Sequence, residues 1–162
     1  MRILLTGIDG YLGALMGPVF ARRGHDVTGL DSGYYRDGLL YEDGAPKIPT
    51  ITKDIRQITV GDLRGFDAVV HLAELSNDPI GQNRPEVTYA INGDGSGNLA
   101  RHAKEAGVTR FLYSSSCSVY GAAGYDAKTE MSDVNPQTAY GRCKVKVEDA
   151  LAQLDDRNFA IT

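Results

Sequence analysis

Tryptophan is absent from this chain, cysteine occurs twice, and no apolar run exceeds the length of a strand. Each scarcity removes a class of protein. A membrane helix needs roughly 20 consecutive apolar residues, so no membrane partner is expected. Cys117 and Cys143 lie outside any CxxC or Cys/His ligand spacing, which argues against a metal site and a disulfide framework. With reduced thiols and a first strand that runs straight into a glycine motif, a cytoplasmic protein is expected. Positive charge is also scarce: 17 Lys and Arg against 21 Asp and Glu leave a net charge of -4, without a basic cluster. Nucleic acid is therefore not an expected partner.

What is present suits one globular domain. The 162 residues are 42% hydrophobic, and a chain of that size buries about two-thirds of its unfolded surface. Arg2–Thr6 is a short Ile/Leu run that predicts a buried strand. Residues 11–23 have the length and apolar spacing of a helix stopped by Gly24, with Pro18 expected to bend it near Ala14. Asp26–Asp31 predicts a second strand, and 33–49, rich in Gly, Pro and Tyr, a long irregular connection. Further strands are predicted over 51–54, 68–72 and 110–115, and the start of a sixth over 158–162. A long helix is predicted over 85–106, weakened by Gly93, Gly95 and Gly97, and a clearer one over 138–155. Such alternation implies an α/β fold with a doubly wound, mainly parallel sheet. A ligand then belongs beyond the carboxyl ends of the strands, where the strand order reverses.

Three motifs carry chemistry. Gly7, Gly10 and Gly13 form GxxGxxG between the first strand and first helix. There Gly7 allows a tight turn, Gly10, Tyr11 and Leu12 present backbone amides to a pyrophosphate, and Gly13 permits close helix–sheet packing. Asp31 ends the second strand 24 residues after Gly7, the place for a carboxylate that bonds adenosine ribose hydroxyls and repels a 2′-phosphate. NAD is therefore favoured over NADP; a turn-capping aspartate is the plainer alternative. Tyr140 and Lys144 are four residues apart, on one face of the predicted helix, where a lysine cation favours the phenolate and makes the tyrosine usable as a base. Finally, the serine-rich run containing Ser114 and Ser116 ends the fifth predicted strand, with its hydroxyls at the cofactor crevice, although a serine-rich turn can simply satisfy its own backbone.

Together, residues 6–13, His71-Leu72-Ala73, residues 114–121 and the Tyr140/Lys144 pair resemble the extended short-chain dehydrogenase/reductases, in particular the NAD-dependent nucleotide-sugar epimerase/dehydratase family. The resemblance covers essentially the whole chain and implies a Rossmann fold. It implies Tyr140 as base, Lys144 as the group holding the nicotinamide ribose, and Ser116 as the catalytic hydroxyl. By the same resemblance Asp54 and Ile55 lie beside the adenine, Leu72 and Ala73 pass under the nicotinamide ribose, and Asn92 and Ser114 lie near the cofactor. A homodimer is implied through the helices over 85–106 and 138–155. His71 is expected to be structural.

The chain departs from the family pattern at two places. Family dehydratases and decarboxylases resemble one another in a glutamate just after the catalytic hydroxyl, where this chain has Cys117 and Ser118. Dehydration is thereby disfavoured, and a 4-epimerase acting on a nucleotide sugar is favoured. A sugar dehydrogenase or ketoreductase with the same residues, and a non-catalytic dinucleotide sensor, stay open. Glu74 replaces a small apolar residue and either touches substrate or points to solvent. Because the family normally continues for a similar length again, residues 1–162 are expected to be the NAD-binding domain, inactive alone, with the C-terminal substrate domain absent from this chain.

Overall fold

In β1 (Arg2–Thr6) the four residues after Arg2 are buried, as a strand covered on both faces requires. Leu4 joins one apolar cluster and its neighbours Ile3 and Leu5 join the other, because successive side chains point to opposite faces of a sheet. The computed structural model describes residues 1–38, 46–76, 78–122 and 127–162. Around β1 the chain builds β2 (Asp26–Asp31), β3 (Thr50–Thr52), β4 (Ala68–His71), β5 (Arg110–Tyr113) and β6 (Ala160–Ile161). All five pairings are parallel, in the order β3-β2-β1-β4-β5-β6. The order reverses between β1 and β4, so the crevice expected for a ligand opens above Thr6 and His71.

Helices cover both faces. On one side α1 (Tyr11–Arg22) lays Met16 and Phe20 on the cluster of Leu5, Val27 and Val70. On the other side lie α2 (Val60–Leu63), α5 (Ser96–Glu105) and α6 (Ala139–Ala152). They supply Leu63, Leu99, Val147 and Leu151 to a larger cluster around the fully buried Phe111. Short helices α3 (Asp78–Asn83) and α4 (Pro85–Thr88) precede α5, and Pro85 opens α4 at a position where its missing donor costs nothing.

Several boundaries differ from expectation. α1 continues through Pro18 to Arg22 without interruption. The third strand begins at Thr50 and ends at Thr52, since Asp54 turns away to cap the single turn Ile55–Gln57. The fifth ends at Tyr113, freeing 114–116 to enter the turn Cys117–Tyr120. The helix expected over 85–106 is not one regular helix: Tyr89–Gly95 is wound as a π-helix between α4 and α5. Gly93 there faces Cys143 and Lys146 of α6, and a side-chain carbon on Gly95 would stand 3.2 Å from Ile55. One extra residue per turn rotates everything after it by about 100° relative to a regular helix, and Asn92 is fully buried. In the expected irregular connection over 33–49, a short turn spans Arg36–Gly38, while 39–45 lie outside the described residues.

Candidate functional site

A cleft of about 720 Å³ lies at the carboxyl ends of the strands. Gly7, Gly10, Tyr11, Leu12 and Gly13 line it from the glycine turn. Asp31, Asp54 and Ile55 stand at one end, and Leu72, Ala73, Ser114, Tyr140 and Lys144 along the other. Ser116 and Asn92 are outside its wall.

The glycine turn is fixed by steric necessity. Gly7 has φ +75, and a Cβ there would meet the Ala73 nitrogen at 2.9 Å. At Gly13 a Cβ would come within 2.1 Å of the Gly7 carbonyl oxygen and 2.7 Å of Ile8 Cα, so only glycine brings α1 this close to the turn. Gly10 begins the helix without a side-chain cap, and no acidic residue lies in the first turn. The positive end of α1 is thus left for an anionic ligand. These features fit a dinucleotide pyrophosphate. Asp31 accepts hydrogen bonds from the Asp9 N–H (3.1 Å) and the Gly33 N–H (2.8 Å), one on each oxygen, with lone pairs left for ribose hydroxyls. Arg36 closes this end by binding the Asp9 carboxylate at 3.0 Å and the Thr52 hydroxyl at 3.1 Å. The Arg56 guanidinium holds the Asp54 carboxyl below the usual carboxylate range, against a smaller opposing effect of burial.

Below the crevice a hydrogen-bonded chain ties β1 to β4 and α5. Thr6 Oγ1 accepts from the Leu72 and Ala73 N–H groups, both at 3.2 Å, which leaves its own proton for His71 Nδ1 at 2.7 Å. His71 Nε2 then carries the ring proton and donates it to Ser96 Oγ at 2.8 Å. Burial, followed by the nearby charge of Lys144, lowers the His71 pKa to about 3. His71 is neutral and structural, as expected.

Tyr140 and Lys144 share a face of α6, with Lys144 Nζ 5.3 Å from the Tyr140 ring centre. Lys144 Nζ also donates to the Ser114 carbonyl and lies 4.4 Å from the centre of the Tyr113 ring. Glu74 also lines the cleft but does not point to solvent: its Oε2 is 2.6 Å from Lys144 Nζ, and both side chains are nearly inaccessible. Tyr113 donates to the other oxygen, Oε1, at 2.7 Å. Burial pushes the Glu74 carboxyl up, opposed by Lys144 and Tyr113. In the sequence Glu74 stands out only as an unusual residue type, and no local pattern signals these partners.

The two predicted residues outside the cleft wall are engaged locally. Ser116 caps the Cys117–Tyr120 turn by accepting from the Ser118 N–H at 3.2 Å, and its hydroxyl donates to Ser118 Oγ at 3.0 Å. Asn92 uses both ends of its amide on the Leu75 backbone, each at 2.9 Å, and so pins the loop that carries Glu74.

The profile of the NAD dependent epimerase/dehydratase family matches residues 3–161, nearly the whole chain. The chain belongs to this family. It is 30% identical to the UDP-glucose 4-epimerase of Erwinia amylovora, over 93% of this chain and 48% of that protein. With the UDP-glucose 4-epimerase of Corynebacterium glutamicum it shares 27% identity over 93% of this chain and 46% of the relative. Among solved structures, the dTDP-glucose 4,6-dehydratase DesIV from Streptomyces venezuelae, with NAD bound, superposes with a TM-score of 0.86 at 28% identity, covering 99% of this chain and 54% of that one. A UDP-glucose 4-epimerase from Stenotrophomonas maltophila, also holding NAD, gives 0.82 at 30% identity over 95% of this chain and 48% of its own. The family is one of NAD-dependent enzymes, and this chain spans about half the length of the curated relatives it matches.

The buried histidine makes stability depend on pH. Between an ordinary value of 6.5 and the folded value of about 3, the unfolded chain binds a proton at His71 that the folded chain does not. Stability is therefore lost as pH falls through this window. Urea midpoints measured from pH 7 to pH 3.5 are expected to fall, and to fall less steeply for His71→Gln; parallel slopes for the two proteins would assign the loss to other groups.

Proposed function

We propose that this chain is the NAD-binding part of a nucleotide-sugar 4-epimerase that works by transient oxidation of its substrate. The observation that supports this most is the Tyr140/Lys144 pair on one face of α6, lining the crevice at the strand-order reversal together with Ser114. Cys117 and Ser118 favour epimerisation over dehydration, because neither supplies the carboxylate that family dehydratases resemble one another in carrying. The similar UDP-glucose 4-epimerases point the same way.

The glycine turn, Asp31, Asp54 and Ile55 hold the adenosine half of NAD in this reading, and Leu72, Ala73 and Lys144 its nicotinamide ribose. Bound there, NAD would supply the reversible hydride acceptor for the sugar carbon, taking the hydride from one face and giving it back to the other. Tyr140 removes the hydroxyl proton as that carbon is oxidised and gives it back on reduction. Lys144 favours the phenolate of Tyr140, and Ser116 steadies the oxygen as it becomes a carbonyl, exchanging its bond to Ser118 for one to the sugar. Asn92 acts by holding the 74–76 loop against the crevice. A sugar dehydrogenase would use the same residues and release oxidised product. The two differ in stoichiometry, since an epimerase leaves bulk NAD unchanged.

Cofactor choice is assigned to Asp31. Replacing it by Ala should weaken NAD binding in calorimetry while sparing NADP; tighter binding of NADP than NAD by the unmodified protein would contradict the assignment.

A cytoplasmic location and a homodimer belong to this reading, and the family pairing of the helices over 85–106 and 138–155 supports the dimer. Sedimentation of the full-length protein should give a dimer mass, and a monomer mass independent of concentration refutes it.

For the chemistry, full-length protein is incubated with UDP-, dTDP-, GDP- and CDP-sugars and followed by NMR. Tyr140→Phe should leave NAD affinity nearly intact and slow turnover by roughly 10²–10⁴-fold, the usual loss with a general base. Full activity in Tyr140→Phe defeats the mechanism, and steady growth of reduced cofactor absorbance with turnover replaces the epimerase by a dehydrogenase.

A further inference from the structure

Among the described residues, Lys144 has one carboxylate in ion-pair contact. From the loop after β4, Glu74 Oε2 approaches its ammonium group to 2.6 Å. From β4, His71 is neutral, its pKa lowered to about 3. From β5, Tyr113 gives its ring face to the lysine and its hydroxyl to Glu74, and burial together with the Glu74 charge keeps that hydroxyl protonated. On α6, Tyr140 presents its ring, Glu148 accepts from the Ser115 hydroxyl, and Lys146 is paired with Asp94 at 2.7 Å. The Cys143 thiol is pushed up to about 11, by burial first and then by Glu74. Beyond its ion pair with Lys144, Glu74 Oε2 has no hydrogen-bond partner among the described residues.

We propose that Glu74 is a positioning residue for the reaction: it fixes the Lys144 ammonium group beside Tyr140 and partly cancels its field there, thereby setting the pH at which Tyr140 becomes the base. This rests on the reading of Tyr140 as base. A lysine alone presents a full positive charge to the phenol. Paired at 2.6 Å with a carboxylate, it presents a dipole whose field falls off faster. The pair is nearly dry, so solvent screens it little. Its geometry is held from three sides: by Tyr113 on Oε1, by the Ser114 carbonyl on Nζ, and by Asn92, whose grip on Leu75 fixes the residue next to Glu74. Glu74 is thus a brake on the tyrosine's acidity and an anchor for the lysine.

The test is the pH dependence of kcat in the full-length enzyme with its nucleotide sugar, for the unmodified protein, Glu74→Gln, Glu74→Asp and Tyr140→Phe. Gln keeps hydrogen-bonding partners for Lys144 and Tyr113 but removes the charge. Its acid limb should move to lower pH by about one unit or more, the scale expected when a full charge a few ångströms away is unmasked. Asp keeps the charge but withdraws it by one methylene, so its limb should move the same way by less; it carries the test if the Gln variant does not fold. A purely structural Glu74 would lower urea stability and leave the limb where it was. Limbs that stay in place or move to higher pH, with Tyr140→Phe inactive, overturn this inference and leave the functional reading standing. Full activity in Tyr140→Phe overturns both.

Discussion

The hydrogen bond from Thr6 to His71 joins the ends of two strands 65 residues apart in sequence. It lies where the strand order reverses, and much of the site is referenced to it. The same threonine oxygen receives the Leu72 and Ala73 N–H groups, so it sets the path of the chain as it leaves β4 beneath the cleft. The far side of the imidazole holds Ser96 at the start of α5, and its face stacks on Tyr113 with ring centres 5.8 Å apart. A charged imidazole would have two donors and could not accept from Thr6, so burial that keeps His71 neutral also keeps the connection intact. The glycine turn is seated from the other direction, by the near-contact of Gly7 with Ala73.

The two ends of the cleft handle charge differently. At the Asp31 end, carboxylates meet backbone N–H groups and the half-exposed Arg36, which bridges the turn after β2 to the glycine turn and to β3. At the Lys144 end the charges are nearly dry and paired with each other. Removing one member of a buried pair is far more disruptive than removing a surface charge. The Lys144 end is therefore where loss of a single charged side chain disturbs the geometry most.

Much of this architecture was legible in the sequence, for physical reasons. β1 carries the unbroken apolar run Ile3-Leu4-Leu5, β2 sets Val27 and Leu30 between two aspartates, and the bounds of both agree with expectation. The glycine turn was legible because three glycines at that spacing between a strand and a helix answer a steric demand that Gly7 and Gly13 display directly. The π-helical turn was not legible: apolar periodicity averages over several turns, and one extra residue leaves only a phase shift. Strand 51–54 was misplaced because Asp54 is polar enough to end a strand or to cap a turn, and its bonds to Arg56 decide for the cap. Glu74 stood out by residue type alone. Its meaning depends on Lys144, which lies seventy residues further along, and no local pattern encodes such a pairing.

The strand order β3-β2-β1-β4-β5-β6 also has a history written into it. During synthesis the sheet can grow outward from β1, with β2 and β3 added on one side and then β4, β5 and β6 on the other. No late strand has to be inserted between two that are already paired. The cost falls on β1, whose second edge waits for β4, some 60 residues later in the chain. At ribosomal speeds of about 5–20 residues per second that edge stays open for several seconds. Its apolar flanks, Leu4 on one face and Ile3 and Leu5 on the other, are then a nascent-chain surface for chaperones or for a neighbouring polypeptide to find.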